Sequence, residues 1–190
     1  YTTDGKVRLH PNLYENGKIC LSLIGTWAGP QWTSCQGIKS LSLSIQSLLN
    51  KHPIQNEPGY EMETGKLSKR YNDCIKHANI RVGVIQMIEH TPTKFKPLRD
   101  NMIEYFLKNY TWYENFCLKR LNKNKNENIR APIYRAWIEN FNYGKLLKKI
   151  KSLKEKVSPP KIYVNPTSNN LESEKPKLKT KTKTKTKKIK

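Results

Sequence analysis

Two long apolar series at helical spacing, divided by Thr91-Pro92, set the frame into which the rest of this chain must fit. In the first, Tyr71, Cys74, Ile75, Ala78, Val82, Ile85 and Ile88 fall on one face, which predicts a helix near 69–90. The residue before a proline is driven out of the α region, so Thr91 closes that helix. The second series, Met102, Ile103, Phe106, Tyr110, Tyr113, Phe116, Cys117 and Leu121, predicts a helix over about 97–121. A shorter series at Ile38, Leu41, Ile45 and Leu48/Leu49 predicts a helix over 38–49. Alternation at Leu41, Leu43 and Ile45 would also suit a strand, but the length and the full series favour helix.

Between these runs lie turn-rich segments. Asp4-Gly5 predicts a turn between two short extended pieces. Residues 10–37 are rich in Gly, Pro, Asn and Trp, and 51–68 hold two prolines and two glycines, so both read as loops. Asn and Lys dominate after Leu121, giving a linker over 122–130. A helical extension is predicted over 131–157 from two stripes, one at Ile133, Tyr134, Trp137, Ile138 and Phe141, the other at Leu146, Leu147, Ile150, Leu153 and Val157. The stripes are out of phase across Tyr143-Gly144, where a kink is expected. The remainder, 158–190, has too little apolar surface to offset chain entropy and is expected to be a disordered Lys-rich tail.

The formal net charge is +21, and residues 175–190 alone hold nine lysines and no acid. The body is therefore basic as well, and an anionic partner such as nucleic acid, an anionic lipid surface or an acidic protein is expected. No stretch reads as a signal peptide or a membrane span. Cys20, Cys35, Cys74 and Cys117 are unevenly spaced without a CxxC, which fits reduced thiols in an intracellular, cytoplasmic or nuclear protein. The spacing also argues against a zinc site.

One loop segment carries chemistry. In HPNLYENGKIC, a His-Pro-Asn triplet is followed by Cys20, eight residues beyond Asn12. On residue type alone Cys20 is a structural thiol, a metal ligand or a nucleophile. The segment resembles the active-site signature of ubiquitin-conjugating enzymes. SLSIQSLL is similar to the helix that follows that site, and QNEPGYE to the acidic, Pro-containing loop beyond it. CLSLIGTW and NEPGYE look like the conjugating domains inside very large enzymes that combine conjugating and ligase roles, where TKFKPLRDNMIEYF also has a counterpart. The segment GTWAGPQWTS, about four residues longer than usual, and Ser22 in place of a common Asp agree with that narrower likeness.

The resemblance covers roughly residues 1–121 and implies an α+β fold of which this chain holds the C-terminal, mostly helical part. Only nine residues precede His10, where the family has a helix and three strands. The chain is therefore expected to be a fragment, with apolar helix surface left uncovered. The resemblance further implies that Cys20 accepts ubiquitin as a thioester from an activating enzyme and passes it to a substrate lysine. A thiolate suits this, being nucleophilic and leaving a thioester that amines attack. Asn12 would stabilise the developing oxyanion or order the active-site loop. Glu57 would orient the lysine, or be only a solvated loop acid. His10 and Pro11 would be structural, bracing the turn. No cofactor is implied, and the partners would be ubiquitin, the activating enzyme, and a ligase or substrate protein. The competing reading is a basic binding module of the same fold, without catalysis, contacting protein or nucleic acid.

Overall fold

The helical stripes and the breaks between them give most of the architecture. The computed structural model describes residues 4–121 and 127–158. The expected disordered tail lies, from residue 159, outside the described residues. Helix α1 spans Ile38–Leu48 and starts where Ser40 Oγ takes a hydrogen bond from the Gly37 amide at 2.9 Å. None of its residues is buried, and Ile38 is 77% exposed. Leu41, Ile45 and Leu48 are only half-covered, so α1 keeps an apolar face toward solvent.

Helix α2 spans Lys66–Ala78 and continues without a break through a π-helical segment, Asn79–Gln86, into Met87–Glu89. It begins three residues before the expected start at 69. Tyr71, Cys74, Ala78, Val82, Ile85 and Ile88 are buried as the stripe requires. The wider π turn also brings Ile80 into the core, which an unbroken 3.6-residue period does not foresee. Past Glu89 the Thr91 hydroxyl donates to the Met87 carbonyl at 2.7 Å and closes the helix. The expected 97–121 helix is two helices. After a 3-10 segment at Thr93–Leu98, α3 spans Arg99–Lys108 and α4 spans Tyr110–Leu118. Asn109 separates them, its side-chain amide donating to the Tyr105 carbonyl at 2.8 Å. A side chain that bonds backbone in this way competes with the helical ladder.

The expected helical extension from 131 is corrected here. Strands β1 (Glu127–Arg130) and β2 (Ile138–Phe141) pair antiparallel, with Glu127 opposite Phe141 and Arg130 opposite Ile138. Part of the expected linker, 127–130, is therefore a strand. Helix α5 begins only at Tyr143 and runs to Val157, with the Asn142 side chain capping the Lys145 amide at 2.7 Å. Along β2 burial alternates, with Glu139 and Phe141 inside and Ile138 and Asn140 outside. That is the period of a strand. The residues Trp137, Ile138 and Phe141 also fit a helical stripe, which is why sequence spacing misassigned them.

Nor is this region an appendage. Trp137, Phe141, Tyr143, Leu146, Leu147, Ile150 and Leu153 share one hydrophobic cluster with Tyr71, Cys74, Ile85, Phe106 and Phe116. Glu139 of β2, fully buried, receives hydrogen bonds from His77 Nδ1 (2.6 Å), Arg81 Nε (2.9 Å), Arg81 Nη2 (2.8 Å) and Trp137 Nε1 (3.0 Å). Arg81 also reaches Asp4 at 3.0 Å. Three of these donors come from the continuous helix, so the buried carboxylate holds the hairpin onto it. The architecture is thus α+β, helices around a two-stranded hairpin. No helix among the described residues is long and apolar enough to cross a membrane.

Candidate active site

His10, Asn12 and Cys20 are brought together by a compact double turn. The Leu13 amide bonds the His10 carbonyl at 2.9 Å, and the Tyr14 amide bonds the Lys18 carbonyl at 2.9 Å. Gly17 turns the chain with φ 93°, a conformation that side chains beyond glycine disfavour. The fold-back sets Asn12 against Cys20. The Cys20 amide donates to the Asn12 carbonyl at 2.8 Å, and Asn12 Nδ2 donates to the Cys20 carbonyl at 2.8 Å. The Asn12 side chain is thus tied to the backbone of the cysteine residue.

His10 is buried, and its Nδ1 accepts from the Asn12 amide at 3.1 Å. Burial lowers its pKa to about 4, outweighing a Leu48 backbone contact that works in the opposite direction. At neutral pH the ring is therefore uncharged and serves as an acceptor within the turn. Pro11, also buried, offers its carbonyl to the Arg8 guanidinium.

Cys20 is itself 3% exposed. It differs from Cys74 and Cys117, which lie inside the hydrophobic cluster and whose thiols burial pushes up to about 12 and about 11. Cys20 is outside that cluster, on the loop, while Cys35 is exposed. Beyond Cys20 the chain is fixed by Thr26, a residue the sequence reading passed over. Its hydroxyl accepts from the Leu21 amide at 2.9 Å and donates to the Ile19 carbonyl at 2.5 Å, bridging the two neighbours of the cysteine.

Glu57 stands at the end of a 3-10 turn, Pro53–Asn56, that is anchored by fully buried Ile54. The Glu57 amide returns to the Ile54 carbonyl at 3.0 Å. His52 Nδ1 meets Ser68 Oγ at 3.2 Å, and Asn72 bonds the Lys51 carbonyl at 3.1 Å, so the loop is tied to α2. The Glu57 carboxylate is not simply solvated. Tyr134, from the loop between β1 and β2, donates its hydroxyl to Glu57 Oε2 at 2.6 Å.

Comparison with known proteins agrees with this arrangement. Residues 5–78, which include the double turn, α1 and α2, match the family model described as ubiquitin-conjugating enzyme. Over those residues the chain is similar to the ubiquitin-conjugating enzyme family. It is 41% identical over 157 residues to "Ubiquitin-conjugating enzyme E2 Z" of Homo sapiens, covering 82% of this chain and 44% of that protein. The E2 Z of Xenopus tropicalis is 39% identical over 158 residues, covering 82% of this chain and 50% of that protein. "Probable ubiquitin-conjugating enzyme protein 17" of Caenorhabditis elegans is 38% identical over 104 residues, half of this chain and 14% of its own length. The chain thus spans about half the length of the E2 Z relatives it matches. An aligned span covering 82% of 190 residues necessarily passes residue 121. The likeness therefore takes in the hairpin and α5, which the sequence reading had left outside it.

Proposed function

We propose that this chain carries the thioester site of a ubiquitin-conjugating enzyme, with Cys20 as the acceptor. The observation that supports it most is the pair of 2.8 Å hydrogen bonds between Asn12 and Cys20, within a turn whose residues match the family. In the first step the Cys20 thiolate attacks the ubiquitin thioester on the activating enzyme, forming a new C–S bond as the old one breaks. In the second, a lysine amine attacks the acyl carbon. An amide C–N bond forms, the amine's proton passes to water, and the Cys20 thiolate leaves. Asn12 keeps the cysteine's backbone in register for both steps, and Glu57 orients the lysine. The partners are ubiquitin, its activating enzyme, and a ligase or substrate protein. The nine lysines of 175–190 would draw an anionic partner.

The second reading, a basic binding module without catalysis, is favoured by the burial of Cys20. One experiment separates the two. The protein, as this chain and within its full reading frame, is incubated with activating enzyme, ubiquitin and ATP, then run with and without reductant. A reductant-sensitive adduct that becomes reductant-stable in Cys20→Ser supports the enzyme. No adduct in either form supports the binding module.

A further inference from the structure

Tyr134 comes from the hairpin loop, far along the chain from the candidate site, yet it meets that site twice. Its hydroxyl donates to Glu57 at 2.6 Å. Its ring lies 4.3 Å from the Arg8 guanidinium carbon, and the same guanidinium sits 3.5 Å from the ring centre of Tyr14 and donates to the Pro11 carbonyl. One aromatic side chain thus joins the loop bearing Glu57 to the His10-Pro11-Asn12 turn. Cation–π contact with a partly desolvated Arg and a short bond to a carboxylate are each directional.

Tyr134 is itself firmly placed. The Trp137 amide returns to the Tyr134 carbonyl at 2.9 Å, and the Ala131 amide to the Trp137 carbonyl at 2.9 Å, so the loop closes on itself. Trp137 below it is 2% exposed. Tyr71 packs edge-on against the Tyr134 ring with centroids 5.9 Å apart, and its hydroxyl donates to the Arg8 carbonyl at 3.1 Å. The hydroxyl of Tyr134 is therefore aimed at Glu57 by a rigid support, which is what holding a reacting partner within about half an ångström demands.

We infer that Tyr134 is a positioning residue for lysine transfer, setting the direction of the Glu57 carboxylate and, through Arg8, bracing the turn that carries Asn12. This rests on the proposed thioester function. It makes the C-terminal hairpin part of the working site. The hydroxyl's part, through Glu57, is specific to the second step, because thioester formation needs no amine to be oriented; the ring's contact with Arg8 bears on both steps.

The test uses the full chain and Tyr134→Phe, which keeps the ring and removes only the donor. Three rates are measured: charging by the activating enzyme, discharge to free lysine over a range of concentrations, and discharge to hydroxylamine, a small strong nucleophile. The expected result is a loss of about tenfold in lysine discharge, with charging and hydroxylamine discharge unchanged. Glu57→Gln should show the same lysine-specific loss, and combining the two should add little. Equal loss of all three rates in Tyr134→Phe would mean a merely structural role and overturn the inference. So would lysine discharge unchanged in Tyr134→Phe, or unchanged in Glu57→Gln should Tyr134→Phe fail to fold. Absence of charging in the unaltered protein would instead remove the thioester reading on which the inference rests.

Discussion

Replacing Glu139 by Gln perturbs the contact on which the hairpin's attachment depends. The buried carboxylate accepts from His77, Arg81 and Trp137 and holds hairpin to helix. Burial alone would raise its pKa. The donors from His77, Arg81 and Trp137, with the Arg81 charge, reverse that and hold it at about 2, against an ordinary 4.5. At about 1.4 kcal/mol for each tenfold change, the difference corresponds to about 3 kcal/mol of stability. This agrees with about 3–5 kcal/mol for removing one partner of a buried ion pair. Because the folded pKa is the lower one, the stabilisation is complete above pH 4.5 and is lost as pH falls toward 2. Gln keeps the shape and one acceptor but loses the charge. Urea unfolding at several pH values should show the variant less stable by about 3 kcal/mol at pH 7. The gap should close between pH 4.5 and 2. A gap below about 1 kcal/mol at pH 7, or one that stays constant with pH, would refute the reasoning.

Further outcomes follow from packing and burial. Ile54→Ala opens a cavity at a fully buried site and should cost about 2–5 kcal/mol in urea unfolding, with lysine discharge falling because Glu57 loses its anchor. A cost under about 1 kcal/mol would show that the turn does not depend on Ile54. Iodoacetamide should label exposed Cys35 in the folded protein while sparing Cys74 and Cys117, whose thiols burial keeps protonated at neutral pH. Intact mass before and after unfolding counts the labels, and early labelling of Cys74 or Cys117 would contradict the core described here.

How far the fold could be read from sequence depended on how local each signal was. The buried faces of α2 and α4 come straight from i, i+3, i+4 spacing, and Thr91-Pro92 marks the end of α2 within two residues. The break at Asn109 was missed because the apolar series runs through it in phase. The hairpin was missed because its evidence is not local. Trp137, Ile138 and Phe141 satisfy a helical period over so short a span, and only pairing with Glu127–Arg130 decides between the two. Nothing local marks Glu139, since His77 and Arg81 lie 62 and 58 residues away.

The candidate site divides the same way. Cys20, Asn12 and His10 lie in one short segment, so its resemblance to a family signature was enough to group them. Tyr134 and Arg8 join Glu57 only through the fold, with Tyr134 77 residues from the carboxylate it holds. An aromatic in an apparent helical stripe gave no sign of its hydroxyl's target. Thr26 was unremarked because a single threonine in a Gly- and Trp-rich loop has no pattern to stand out from.

The central claim is that Cys20, rather than any other thiol here, takes up ubiquitin. Its most direct test is the intact mass, without reductant, of the protein after reaction with activating enzyme, ubiquitin and ATP, for the unaltered chain, Cys20→Ala and Cys35→Ala, each within its full reading frame. The account predicts a gain of one ubiquitin in the unaltered protein and in Cys35→Ala, reversed by reductant, and no gain in Cys20→Ala. A gain that survives in Cys20→Ala, or none in any of the three, would contradict it.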